Sequence, residues 1–289
     1  MLVMDSALNI FSLSLAFALV GLNVYLSTKV LNVTDLTCDA SVAVGGCLYG
    51  ALVLYGMNPL VALLLATCFG AVAGFVTSSL TLNINVEPVL ASIITLTAFQ
   101  TFTAKLSSAK PVKGLSSSLF TLSAADNAII SIIIVTIICI IFYKILNSEY
   151  GLTMKVFGCG RIISESLGIS SSRMLYVGLG IGNALSALAG ALITQISGTF
   201  SANMGNGSLV FGLAAVIIGE KIVEPKTTRR AIIGCFIGAL IYKVMVEVAT
   251  FGGTQTLGSE YNNVIIALVL IFLMALIQDS KKTHSLKNT

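Results

Sequence analysis

Long apolar runs alternate with short polar breaks along this chain, and the runs have the length of membrane-crossing helices. A helix crosses the hydrocarbon layer with about 20 residues. Runs of comparable length, nearly free of ionised side chains, lie at 7–28, 40–57, 59–83, 88–104, 127–143, 174–195, 203–219, 231–250 and 261–278. The pattern predicts an all-α polytopic membrane protein of about nine spans, within a range of 8–10, folded as a single transmembrane domain over 1–289. The second and seventh runs are short. Thr37, Asp39 and Ser41 open one, and Asn206 and Ser208 open the other. These side chains accept backbone N–H groups at helix starts, so the two runs are predicted to be half-helices that cross only in part.

The runs also repeat. Under a shift of 167 residues Ser41, Gly45, Cys68 and Phe69 fall on Ser208, Gly212, Cys235 and Phe236, without a gap across two spans and a loop. The first helices of the two copies lie five spans apart, which predicts opposite orientations in the membrane. Repeat 1 is expected at about 36–106 and repeat 2 at about 203–279. Transport folds place the translocation path at the interface of such inverted repeats.

Composition agrees with lipid as the solvent. Of 289 residues 56% are hydrophobic and 10% charged, with a mean hydropathy of +0.98, whereas soluble chains carry about 25% charged residues. The net charge of +4 is scattered between the runs, which speaks for topology and against a nucleic-acid surface. If the loop 147–172 is cytoplasmic, alternation puts most basic residues on the same side, among them Lys29, Lys144, Arg173, Lys221, Arg229 and Arg230, and leaves Lys105, Lys110 and Lys113 outside. The positive-inside rule then gives N-terminus out and C-terminus in. The first apolar run lacks a basic segment and a small-residue cleavage site, so it is expected to be an anchor and not a signal peptide. Cys38, Cys47, Cys68, Cys139, Cys159 and Cys235 show no metal-ligand spacing, and the single histidine, His284, lies in a polar tail. No metal and no cofactor are expected.

The loop 147–172 carries the most information. A short amphipathic helix over 161–167 is predicted between glycines, a suitable handle for a soluble partner at the membrane surface. Gly151 and Gly158 frame Lys155, and ten residues further on stand Gly168 and Ile169. Then comes 174–195 with its core Asn183-Ala184-Leu185-Ser186-Ala187-Leu188-Ala189-Gly190-Ala191. With 203–208 (Asn-Met-Gly-Asn-Gly-Ser), 212–220 (Gly-Leu-Ala-Ala-Val-Ile-Ile-Gly-Glu) and 36–41 (Leu-Thr-Cys-Asp-Ala-Ser), this pattern resembles the permease subunits of bacterial ABC importers. Within them it is most similar to the branched-chain amino-acid and ribose permease family, and there to the small permeases assigned to aromatic amino acids. The resemblance covers nearly the whole chain.

That resemblance implies a multi-pass protein of the bacterial cell membrane that forms a homodimer, with two further partners: an ABC ATPase subunit and an extracytoplasmic substrate-binding protein. It also implies that Gly158 to Gly168, including Arg161 and Glu165, form the coupling helix seated in the ATPase. Cys159-Gly160-Arg161 stands where the family commonly has Asp-Asn-Pro, Lys155 where arginine is commoner and Ser164 where alanine is commoner.

No G-x-x-x-x-G-K-[ST] loop occurs in the chain, so ATP hydrolysis is expected from a partner and the chain is not expected to be an enzyme. Half-helices starting near Asp39 and Asn206 would aim positive dipole ends at the protein's middle, suiting a carboxylate substrate. Asp39, Ser41, Asn206 and Ser208 are therefore candidate pathway residues. Lys243 and Glu247 are the charges inside a span, four residues apart on one helix face, and join them as candidates. The alternative reading is an ion-coupled secondary transporter, for which Glu247 would have to serve as the coupling carboxylate.

Overall fold

A computed structural model describes residues 2–107, 112–113 and 124–257. The chain forms α1 (Leu2–Tyr25), continued by a π-helical turn (Leu26–Val30), then α2 (Thr37–Leu54), α3 (Pro59–Asn83), α4 (Pro88–Leu106), α5 (Ala124–Asn147), α6 (Glu149–Cys159), α7 (Arg161–Ser166), α8 (Ser171–Ser197), α9 (Ser208–Ile222) and α10 (Thr228–Leu257). Two short strands, β1 (Val112–Lys113) and β2 (Thr199–Phe200), pair antiparallel.

Local sequence explains the helix limits. Pro59 and Pro88 occupy the first turns of α3 and α4, where the missing N–H costs nothing. The Asn58 side chain accepts the Leu60 N–H at 3.0 Å as the α3 cap. Gly198 ends α8 in the left-handed conformation, φ 64°, which a glycine adopts without strain.

Six of these helices are long and apolar enough to cross a membrane, and the bent pair α5–α6, 67° apart, makes up to seven. Eight of the nine expected runs fall on described helices. The seventh run is α9, whose 15 residues fall short of a full crossing; the second run, also expected to cross only in part, is α2, which at 18 residues is among the six, and the run at 261–278 lies outside the described residues. The loop 147–172 contains more helix than expected: besides α7, it holds the 11-residue α6.

The long helix α8 is the axis of the fold. Ser41 and Gly45 of α2 lie against Asn183 and Ala187 of α8 in the same order, so the two helices run parallel. Gly70 and Gly74 of α3 lie against Asn183 and Leu179, hence antiparallel. Asn23 reaches Ser186 while Leu31 packs on Gly178, which makes α1 antiparallel as well. On the other side of α1, α9 runs with it, Gly212 against Val24 and Glu220 against Lys29. α10 then returns along α9, placing Gly238 at Ala215 and Tyr242 at Phe211.

These pairings give α2 and α9 opposite directions from a common level. Cys38 at the start of α2 sits 3.2 Å from Ser186, well inside the ends of α8. The outward faces of α3 and α5 carry Leu60, Leu64, Ile133, Ile137 and Ile141, all exposed. An exposed apolar face on a hydrophobic helix is the signature of contact with lipid.

Candidate functional site

The first turns of α2 and α9 meet through one carboxylate. Asp39 Oδ1 accepts the Leu209 N–H at 2.6 Å and Oδ2 accepts the Gly207 N–H at 3.1 Å. A negative charge at the open N–H groups of a helix start is favourable both as a hydrogen-bond acceptor and against the helix dipole. Here the anion is supplied by the protein itself. Gly205 packs so closely on the Asp39 carbonyl that a side chain there would overlap the backbone of α2, so the 201–207 segment is pressed against that helix.

The candidate pathway residues separate into two groups. Asp39 is half-buried and Asn206 exposed at the junction, while Ser41 and Ser208 beside them are buried. Ser41 donates to Asn183 Oδ1 at 2.7 Å. Lys243 and Glu247 form their own ion pair on α10 at 3.4 Å, with the Lys243 ammonium 5.7 Å from the centre of the Phe17 ring.

Beneath the junction lies a buried polar network. Asp35, in the turn between the π-helical turn and α2, accepts the Thr37 N–H at 2.9 Å and the Asn183 side-chain N–H at 2.7 Å. Asn23 of α1 donates to Ser186 at 2.7 Å, and the hydroxyls of Thr37, Thr77 and Thr95 join α2, α3 and α4 within 3.0 Å of one another in sequence. Asp35 and Asn23 were not among the residues marked by the chain pattern. The available signal was an isolated asparagine within each of two apolar runs and an aspartate between two runs. Buried polar groups in such surroundings are costly unless bonded, and these bonds fix five helices, α1 to α4 and α8, to one another.

The second candidate region is the segment after α5. Gly158 lies against the Val30 carbonyl with no room for a side chain, Gly160 has φ 157° and Gly168 has φ 75°. Between them stand Ile162 of α7, 85% exposed, and Leu167 at its C-terminal cap, 64% exposed. Glu165 stands on the same six-residue helix, and Arg161 opens it. Lys29, next to Val30, forms an ion pair with Glu220 of α9 at 2.7 Å.

Comparison with known proteins accords with this architecture. The family profile described as the branched-chain amino acid transport system / permease component matches residues 6–274. The tyrosine transport system permease protein of Clostridioides difficile (strain R20291) is 27% identical over 277 residues, covering 94% of this chain and 91% of that protein. The ribose import permease protein RbsC of Bacillus subtilis (strain 168) is 24% identical over 286 residues, covering 96% and 86%. Among solved structures, PsaBC from Streptococcus pneumoniae in complex with Fab is similar in fold, with a TM-score of 0.55 at 10% identity over 93% of this chain and 89% of that one. This chain belongs to the branched-chain amino acid transport system permease family, and it is an ABC-type transport permease that crosses the bacterial inner membrane several times.

Proposed function

We propose that two copies of this permease enclose the pathway of an importer for an amino acid, supplied from outside by a substrate-binding protein and driven by a separate ATPase docked on residues 158–168. The observation that carries this reading is the exposed apolar surface of α7, which lies outside every span. Apolar side chains grouped at a water-facing end mark a contact surface. The same end of the bundle carries Lys29, Lys144, Lys155, Arg173, Lys221, Arg229 and Arg230, and a basic end is the cytoplasmic one.

A route from that surface to the junction supports the coupling role. The end of α6 rests on Val30 through Gly158, Lys29 beside it holds Glu220, and α9 carries the contact up to Asp39. The antiparallel helices α2 and α9, with Gly45 and Gly212 each at a close helix contact, favour an inverted repeat of 36–106 and 203–279 about that junction.

Amino acid is the substrate class that suits the junction. The N–H groups at the start of α9 are spent on Asp39, so the charge offered beside Asn206 is negative and fits an α-ammonium group. The relative named for tyrosine transport points the same way. The test is uptake of labelled tyrosine and leucine into vesicles holding the permease with its ATPase and binding protein. ATP-dependent amino-acid uptake that ribose does not compete for is expected. Uptake of ribose without competition from amino acids would overturn the substrate class.

A further inference from the structure

A groove of about 540 Å³ lies between α5 and α10, with α1 at its back. Its walls are Leu15, Ile132, Val135, Ile140, Ile233 and Phe236, together with Cys139, Thr136 and Ile232, and among the described residues no carboxylate lines it. Tyr143 and Arg229 close one end, the end that carries the basic residues. From Ile132 to Tyr143 the wall rises through roughly 16 Å at 1.5 Å per residue. That is close to half of a hydrocarbon layer about 30 Å thick, the depth of a single leaflet.

The polar end is built for an anion at the headgroup level. The Arg229 Nε–H donates to the Tyr143 hydroxyl at 2.8 Å, and the guanidinium lies 5.1 Å from the centre of that ring. This uses one of its five donors, and the others have no partner among the described residues. Arg230 and Lys144 adjoin the pair in sequence, and Lys155 reaches in from α6 to donate to Thr228 at 3.1 Å. Clustered basic residues at the cytoplasmic mouth of a groove between spans recognise anionic lipid headgroups.

We infer that this groove is a binding site for one anionic phospholipid of the cytoplasmic leaflet, with its acyl chain along α5 and its phosphate at Arg229. The assignment to that leaflet rests on the orientation proposed above; the binding itself does not. A helix from a second copy is a poorer occupant, because it would have to bring a carboxylate to a mouth whose walls have none among the described residues.

The test compares phosphatidylglycerol with phosphatidylcholine of the same acyl chains, added to the purified full chain in mild detergent, read by native mass spectrometry and thermal melting. Phosphatidylglycerol is expected to remain bound at one per chain and to raise the melting temperature where phosphatidylcholine does not. Arg229→Gln is expected to weaken its retention about fivefold, Arg229→Lys to keep most of it, and Ile140→Trp to displace it by filling the groove. Equal stabilisation by both lipids, or a bound phosphatidylglycerol indifferent to both Arg229→Gln and Ile140→Trp, would overturn the proposal. So would a change of oligomeric state in Ile140→Trp with lipid retention intact, which would mark the groove as a protein interface. None of these readings needs the ATPase or a transported substrate, so they stand apart from the test of transport.

Discussion

Asp39 holds the backbone N–H of Leu209 at 2.6 Å across 170 residues of sequence, joining the start of α2 to the start of α9. One carboxylate thereby replaces the water that would satisfy these groups in a soluble helix.

Removing that cap is expected to loosen the junction. Asp39→Ala should cost about 0.5–2 kcal/mol, the range of a lost helix cap, read as a lower melting temperature in detergent. Asp39→Asn keeps one acceptor and should fall between Ala and wild type. An Ala variant that melts with wild type would show that the two N–H groups are satisfied elsewhere.

The network below is expected to be more sensitive. Asn183 donates to Asp35 and accepts from Ser41, so Asn183→Ala leaves two buried groups short of a partner, at about 1–3 kcal/mol each. The matching experiment is thermal melting of Asn183→Ala beside Ser41→Ala, which removes only one of those bonds. The Asn183 variant should lose clearly more, and equal losses would count against a shared network.

Close helix approach supplies a third expectation. A side chain at Gly190 would overlap the Val42 carbonyl, and one at Gly45 the Ala187 carbonyl. Small residues at such contacts let membrane helices pack backbone to backbone, and Gly190→Val should separate α2 from α8. The expected result is loss of folded protein on size-exclusion chromatography. Gly168→Val serves as the comparison, since nothing lies within 4 Å of its Cβ position and only the strain of φ 75° is added.

The Lys29–Glu220 pair is half-exposed, 46% and 27%, and an ion pair of that kind contributes at most about 1 kcal/mol to stability. Its expected effect is on transport. Lys29→Glu should slow uptake with little change in melting temperature, and adding Glu220→Lys should restore it. Failure of the double variant to recover would remove this contact from the coupling route.

Much of this architecture was legible in the chain. The prolines at 59 and 88 fixed the starts of α3 and α4, and the short runs after Thr37 and before Ile222 corresponded to α2 and α9, because capping residues and run length act locally. The role of Asp39 was not legible. A helix start reads as an open anion site until the three-dimensional path shows which acid reaches it, and here that acid belongs to α2. Asn23, Asp35 and Asn183 were hidden for a related reason: their partners across the fold lie 142 or more residues away, and a lone asparagine in an apolar run has no spacing to betray it. The α6 helix was missed because the polar residues at 147–153 read as a loop, whereas a 67° bend after α5 turns the segment and lets it remain helical.

The central claim is tested most directly by purifying the tagged permease in mild detergent, as wild type and with residues 158–168 scrambled, and identifying what accompanies it by mass spectrometry and ATPase assay. Retention of a P-loop ATPase by wild type and its loss in the scrambled chain is the expected result. A permease that purifies alone and transports in liposomes on an ion gradient would contradict the account.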